Sequence, residues 1–360
     1  MIINMRKVVI LGAGISGLTS AITLAKNNID VEVYEIGERP KPMFNVAINA
    51  FRNYGREFGV IKKISKIGVR LPKMDKIYKI FKFSPSLKMC EIIKENKSEP
   101  FFYTFLRGKD ENSFDQVLFK QAEKLGIKFH FKQTIQKERA DIIATGPRRV
   151  DGVAFGYNYK DLNIEHAVYI FYDNRYSPHG YFYILPYKDS ADVVATTFCS
   201  PNNYSKIKEY FLKAIKENEL IKDIVKGATK VCEISGYGNF DIPSSAYDGK
   251  NYYVGEAAGF QDISKGFGVK FALLSGWLSA KAIIERKNYD ELWKEEFLDD
   301  LIYYFKRRII YHKKTNKDFE EDIIQGRITK EKEEEIKKIP KIVDLLFPFY
   351  LLKWKMLRRI

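Results

Sequence analysis

The chain has 360 residues, of which 45% are apolar and 30% charged. That length predicts two domains and a helical tail rather than one core, and the balance excludes a disordered or fibrous protein. The formal charge of +15 favours anionic partners, but with no zinc-finger spacing or RNA-recognition aromatic motif, nucleic acid is not expected among them.

The apolar run Val8 to Leu11 is too short for a signal peptide, and residues 7–12 read instead as a buried strand. Gly12-Ala13-Gly14-Ile15-Ser16-Gly17 follows, then Ile15, Leu18, Ile22 and Ala25 at helical spacing, ending near Asn27-Asn28. Residues 31–35 form a second strand that ends on Glu35. KIYKIFKF (76–83) alternates basic and apolar residues and predicts a half-exposed strand. Its hairpin partner is 87–93, across the turn Ser84-Pro85-Ser86. Residues 113–126 predict a helix capped by Ser113 and closed by Gly126. Strands at 127–131 and 140–146 follow.

Several antiparallel strands are expected between 151 and 200, then a helix carrying Ile207, Phe211 and Ile215. Residues 252–259 return to strand-plus-glycine, and 268–284 predict a long apolar helix. The region 286–360 reads as helical and highly charged. No run of about 18 apolar residues occurs, so no membrane-spanning helix is expected. Cys90, Cys199 and Cys232 are widely spaced with no CxxC pair, which speaks against a disulfide framework or a metal site and for a reducing cytoplasm.

Strand, glycine turn, helix, strand and acid make one βαβ unit, with Glu35 eighteen residues beyond Gly17. Gly12 permits the tight turn, Gly14 lets a pyrophosphate approach the backbone, and Gly17 lets helix and strand pack closely. Amides at the helix start would face the phosphates, with Ala13 and Ser16 in the same turn. Glu35 can accept hydrogen bonds from ribose hydroxyls and would repel a 2′-phosphate. The motif itself does not choose between FAD and NAD.

Residues 8–35 resemble the FAD-binding opening of glutathione-reductase-type flavoproteins, and 251–283 resemble their second FAD motif. Gly255 and Glu256 stand where that motif has Gly-Asp, so Glu256 is implied to hold the ribityl chain. ADIIATG (140–146) is similar to the strand between the motifs, which implies Thr145 and Gly146 near the adenosine. Within this superfamily the chain resembles the geranylgeranyl-reductase and aromatic-hydroxylase branch. LRGKDENSFDQVLFKQAEKLG (106–126) carries the arginine followed by FD-x-x-L-x-x-x-A, which implies Arg107 near the isoalloxazine or pyrophosphate. Gly266-Phe267-Gly268-Val269 matches the GxGI turn whose amides face the flavin. HGYFYILP (179–186) is similar to the GYxWxFP strand of archaeal geranylgeranyl reductases, with Tyr183 in place of Trp. Tyr181 and Tyr183 fall on one face of that strand and are expected to line the substrate cavity. The cysteine that archaeal geranylgeranyl reductases often carry after the first FAD strand has no counterpart between Glu35 and Cys90. PMFNVAINAF (42–51) occupies that region.

The resemblance implies an α/β protein. A discontinuous Rossmann-like FAD-binding domain is expected from 1–60, 100–150 and 230–285. A mixed antiparallel-sheet substrate domain is expected from 61–99 and 151–229, and a helical region from 286–360. The expected activity is FAD-dependent hydride transfer to a double bond of a hydrophobic, isoprenoid-like or lipid substrate. An aromatic-type monooxygenase and a cyclase or isomerase without net redox change are the alternatives. His179 is a further acid to weigh, though a turn histidine beside Pro178 is more often a loop residue. No second nucleotide fingerprint occurs, so the electron donor is NAD(P)H bound transiently or a reduced protein carrier. Lys73, Lys76, Lys79 and Lys82 read as one solvated face or as a docking surface for such a carrier. Residues 337–360 mix apolar, aromatic and basic side chains. They suit either packing on the protein or peripheral contact with an anionic membrane, in a cytoplasmic protein.

Overall fold

A computed structural model of the chain describes residues 7–40, 46–94 and 99–326. The expected charged helix at 329–338 and the amphipathic stretch at 337–360 lie outside these residues. The β-branched run Val8–Leu11 forms the central strand of a five-stranded parallel sheet. Across the sheet the order is Tyr252–Tyr253, Ile142–Ile143, Val8–Leu11, Val31–Glu35 and Lys128–Phe131. Every neighbouring pair is parallel.

Two helices, Ile15–Ala25 and Val269–Glu285, cross at very short range beside this sheet. Their contact is built from small residues. Ser20 Oγ donates to the Gly276 carbonyl at 2.9 Å and meets Ser279 Oγ at 3.1 Å. A Cβ on Gly276 would lie 2.3 Å from the Ser16 carbonyl oxygen, so only glycine allows this approach.

A seven-stranded mixed sheet forms the second layer. Its order is Thr229–Gly238, Gly152–Lys160, Ser190–Phe198, Phe182–Tyr187, Val168–Phe171, Lys79–Phe83 and Met89–Ile93. Neighbours are antiparallel except Val168–Phe171 with Lys79–Phe83. Side chains alternate between its faces, as a pleated strand requires. One face carries Phe155, Tyr157, Phe182 and Val193 against the helices Ile207–Glu217 and Glu219–Val225, with Phe182 stacked on Phe211 at 5.8 Å. The other face turns inward. A three-stranded antiparallel sheet, Val46–Arg52, Phe102–Gly108 and Asp75–Ile77, ties the layers together.

Three readings of the sequence change here. KIYKIFKF is two strands: Asp75–Ile77 joins the three-stranded sheet and Lys79–Phe83 the seven-stranded one. The second is almost wholly buried, Lys82 included, so the four lysines do not share a solvated face. The alternation misled because Lys82 points into the molecule. The strand Thr229–Gly238 lies in the seven-stranded sheet, so the segment 230–285 opens with a strand of the antiparallel layer.

The helices Tyr289–Trp293, Asp299–His312 and Asn316–Ile324 close the molecule. Arg308 donates to the His179 carbonyl at 2.8 Å, Tyr311 to the Gly180 carbonyl, and Asn316 Oδ1 accepts from Asn174 N at 2.8 Å. These bonds hold the tail on the connection between the strands Val168–Phe171 and Phe182–Tyr187. On the other side, Lys270 Nζ is clamped between Glu57 (2.7 Å) and Asp300 (2.8 Å), and Tyr304 also donates to Glu57. Among the described residues no helix is long and apolar enough to cross a membrane.

Removing one partner of such a buried cluster leaves uncompensated charge. Lys270→Met is expected to cost about 3–5 kcal/mol of stability, read as a lowered midpoint in urea denaturation.

Candidate dinucleotide and substrate site

The first glycine turn is fixed by its neighbours. Gly12 has φ +105°, and a Cβ there would lie 2.3 Å from the Ala144 carbonyl oxygen. A Cβ on Gly17 would meet the Gly12 carbonyl oxygen at 2.1 Å. Gly14 differs, because nothing lies within 4 Å of the Cβ it lacks. Space is kept there on the open side of the turn, at the start of a helix that no side chain caps. First-turn amides without intrahelical partners suit an anion.

Glu35 braces this turn. Its Oε2 accepts from Ala13 N and its Oε1 from Gly37 N, each at 2.8 Å. It lines a large cavity with Thr134, Thr145, Gly146 and Ile36, and Ile36 is 79% exposed. Three residues expected to contact cofactor stand behind the cavity wall instead. Ala13 is buried and gives its amide to Glu35; Gly17 packs on Gly12; Gly255, at φ +57°, packs on Ser16. They shape the turns by packing against Glu35, Gly12 and Ser16, which do line the cavity.

The cavity, about 740 Å³ in volume, runs past Gly12, Gly14 and Ser16 to Arg107, Glu256 and the Gly266–Val269 turn. Arg107 is held by a two-pronged pair with Asp115, Nε to Oδ2 at 2.8 Å and Nη2 to Oδ1 at 3.0 Å. Asp115 also accepts from Gly108 N at 2.9 Å, so the FD sequence of the helix Phe114–Lys124 positions the arginine. Burial pushes the Glu256 carboxyl up to about 7, against the bond from Gln261 and the charge of Arg107. Gln261, which sequence reasoning missed, donates to Glu256 Oε1 at 2.7 Å and fits against Gly238 and Gly268. Gly268 stands at the N-terminus of the helix Val269–Glu285, where the helix dipole favours negative charge.

The rest of the cavity is walled by the inward face of the seven-stranded sheet and by Ala47–Ala50 of the three-stranded one. Tyr181 and Tyr183 stand side by side there, ring centroids 5.7 Å apart, with Tyr181 donating to the Lys265 carbonyl at 2.6 Å. Lys82, Lys265 and Asp192 also line this space and were not anticipated as site residues. A single acid inside the β-rich run SADVVATTF was the available signal for Asp192. Burial pushes its carboxyl up to about 7. His179 is not at the cavity; its ring stacks on His312 at 4.1 Å behind the sheet.

The donor set fits FAD. An acid braces the turn at one end, two glycine-capped helix starts face the middle, and a carboxyl and a guanidinium meet the second glycine turn. The fold and this site define a dinucleotide-binding protein built like the FAD-dependent oxidoreductases. Residues 10–41 match the family model of the NAD(P)-binding Rossmann-like domain. Among solved structures the chain is similar to a geranylgeranyl bacteriochlorophyll reductase-like protein from Thermoplasma acidophilum. The TM-score is 0.73 at 16% identity, covering 95% of this chain and 98% of that one. It is also similar to a flavin-dependent brominase (0.63, 16%, 97% and 100%) and to p-nitrophenol 4-monooxygenase from Pseudomonas putida (0.61, 13%, 97% and 99%). At these identities the likeness establishes the shared fold. No curated protein matches the sequence.

Asp192 and Glu256 are both raised from the ordinary carboxylate range to about 7. Between those limits the folded protein keeps protons that the unfolded chain releases, so stability falls as pH rises. Flavin-free protein should therefore have a lower urea midpoint at about pH 8 than at about pH 5. Glu256→Gln should flatten that slope, and an unchanged slope would refute the assignment.

Proposed function

We propose that the chain is an FAD-dependent oxidoreductase that reduces a carbon–carbon double bond in a hydrophobic, isoprenoid-like substrate. The observation that carries this reading is the continuity of the cavity. One space joins the dinucleotide motifs to the aromatic inner face of the seven-stranded sheet. A substrate there lies against Tyr181, Tyr183, Ile170 and Leu185, a lining that suits apolar surface. The likeness in fold to a protein named as geranylgeranyl reductase-like adds support.

Bound FAD supplies the hydride chemistry. The chain positions and tunes it. Glu35 would hold the ribose end and the Gly14 turn the pyrophosphate. Amides at 267–269 hold negative charge at the start of the helix Val269–Glu285. Asp115 keeps Arg107 turned into the cavity, and Gln261 does the same for Glu256. The electron donor is NAD(P)H or a reduced protein carrier.

The likeness to p-nitrophenol 4-monooxygenase favours oxygen insertion as the second reading. One experiment separates them. Protein loaded with FAD is bleached with dithionite without oxygen and mixed with a geranylgeranyl lipid. Recovery of the flavin bands with saturation of the lipid is the expected result. Bands that stay bleached under lipid, with NAD(P)H-dependent oxygen uptake on an aromatic substrate, would replace the reductase with the monooxygenase.

A further inference from the structure

Among the described residues that line the cavity, Asp192 is a carboxyl group to which the proposed dinucleotide site gives no part. Asp192 sits mid-strand in Ser190–Phe198, only 1% exposed, on the inward face. Its Oδ1 accepts from Asn158 Nδ2 at 2.7 Å, and its Oδ2 accepts from Ile48 N at 2.6 Å. Both donors are neutral, so neither supplies a counter-charge. Each oxygen accepts one bond and keeps a lone pair for a proton.

Ile48 belongs to the strand Val46–Arg52, whose residues 47–50 line the cavity. The bond to its amide therefore pins Asp192 where the substrate sheet meets the strand that carries Ala47–Ala50. Ala47, Tyr183, Leu185 and Ile234 share the cavity wall with it, as do Lys82 and Lys265. We propose that Asp192 is the acid that protonates the substrate, a role that rests on the reductase reading above.

The hydrogen bonds from Asn158 and Ile48 favour the ionised form of Asp192, and burial outweighs them. On the adjoining strand Tyr183 is held well above its ordinary value by burial, with Asp192 adding to the effect. On Thr229–Gly238, Cys232 is raised by burial and by Asp192. From the Gly152–Lys160 side comes neutral Asn158, and from the three-stranded sheet a backbone amide. Among the described residues no cation shifts Asp192. Burial without a partner charge lifts the carboxyl to about 7, so it carries a proton below neutral pH and a protonated fraction at neutrality, the state a general acid needs.

The step balances. One carbon of the double bond takes a hydride from reduced FAD, forming a C–H bond. The π electrons then take the Asp192 proton at the other carbon, forming the second C–H bond. The products are a saturated bond, oxidised FAD and the Asp192 carboxylate. Water reprotonates the carboxylate as product leaves, and the two electrons are restored by a reduced nicotinamide or a reduced protein carrier. Tyr183, held well above its ordinary value by burial, is the weaker acid of the two.

Two measurements test this. Infrared titration of FAD-loaded protein reads the carbonyl band of a protonated carboxylic acid and needs no substrate. In a Glu256→Gln background that band is expected to persist and to disappear as pH rises through about 7. Asp192→Asn should abolish it. The second measurement is the rate at which dithionite-reduced protein is reoxidised by a geranylgeranyl lipid without oxygen. Asp192→Asn is expected to slow it by at least about 100-fold and to remove the loss of rate at alkaline pH. Asp192→Glu should recover part of the rate; a merely structural tie to Ile48 would not restore the pH profile.

Absence of the band in the parent protein would overturn the proposal. So would an Asp192→Asn protein that keeps the parent rate and profile. Reduced parent protein that ignores the lipid contradicts the reductase reading, whereas the infrared result still decides whether Asp192 holds the proton.

Discussion

The close crossing of Ile15–Ala25 and Val269–Glu285 is the constraint on which the rest depends. Ser16, Ser20, Gly276 and Ser279 let the helices touch through backbone and hydroxyl groups. Each helix starts at a glycine, Gly14 and Gly268, so two uncapped N-termini open into one cavity. A larger residue at Gly276 would push them apart and separate the two halves of the binding motif, which lie more than 250 residues apart in the chain. The first strand and the ATG strand hold the turn from below, where Gly12 and Gly17 admit no side chain.

Around that crossing the molecule sorts its charges. Lys270, one residue beyond the second glycine turn, is neutralised by Glu57 and Asp300 away from the cavity. Arg52 pairs with Asp262 at 2.7 Å in the same buried layer. Inside the cavity the carboxyls of Asp192 and Glu256 are treated differently: neutral amides hold them in place, and burial keeps their protons on. Ion pairs thus brace the scaffold and fix Arg107 at the cavity, where burial raises the carboxyls of Asp192 and Glu256.

The local pattern made most of the fold legible. β-branched runs, helical spacing, the Ser113 cap and the glycine turns each rest on neighbours in sequence, and the corresponding strands and helices stand in the structure. What failed rests on distant contacts. KIYKIFKF has the alternation of an exposed strand, yet a parallel partner at Val168–Phe171 covers it and turns Lys82 inward. Thr229–Gly238 is claimed by Gly152–Lys160, a pairing that no local signal announces. In the site, the glycines were visible because a ligand or a close contact forbids a side chain. Asp192 and Gln261 were not, because their importance comes from partners on other elements: Ile48 and Asn158 for the first, Glu256 and two glycines for the second.

A titration of flavin-free protein with FAD, followed by calorimetry, addresses the cofactor most directly. One FAD bound per chain, not displaced by NAD and weakened by a tryptophan at Gly14, is the expected result. No binding of FAD, or binding that the Gly14 substitution leaves unchanged, would contradict a flavin site built on these two helix starts.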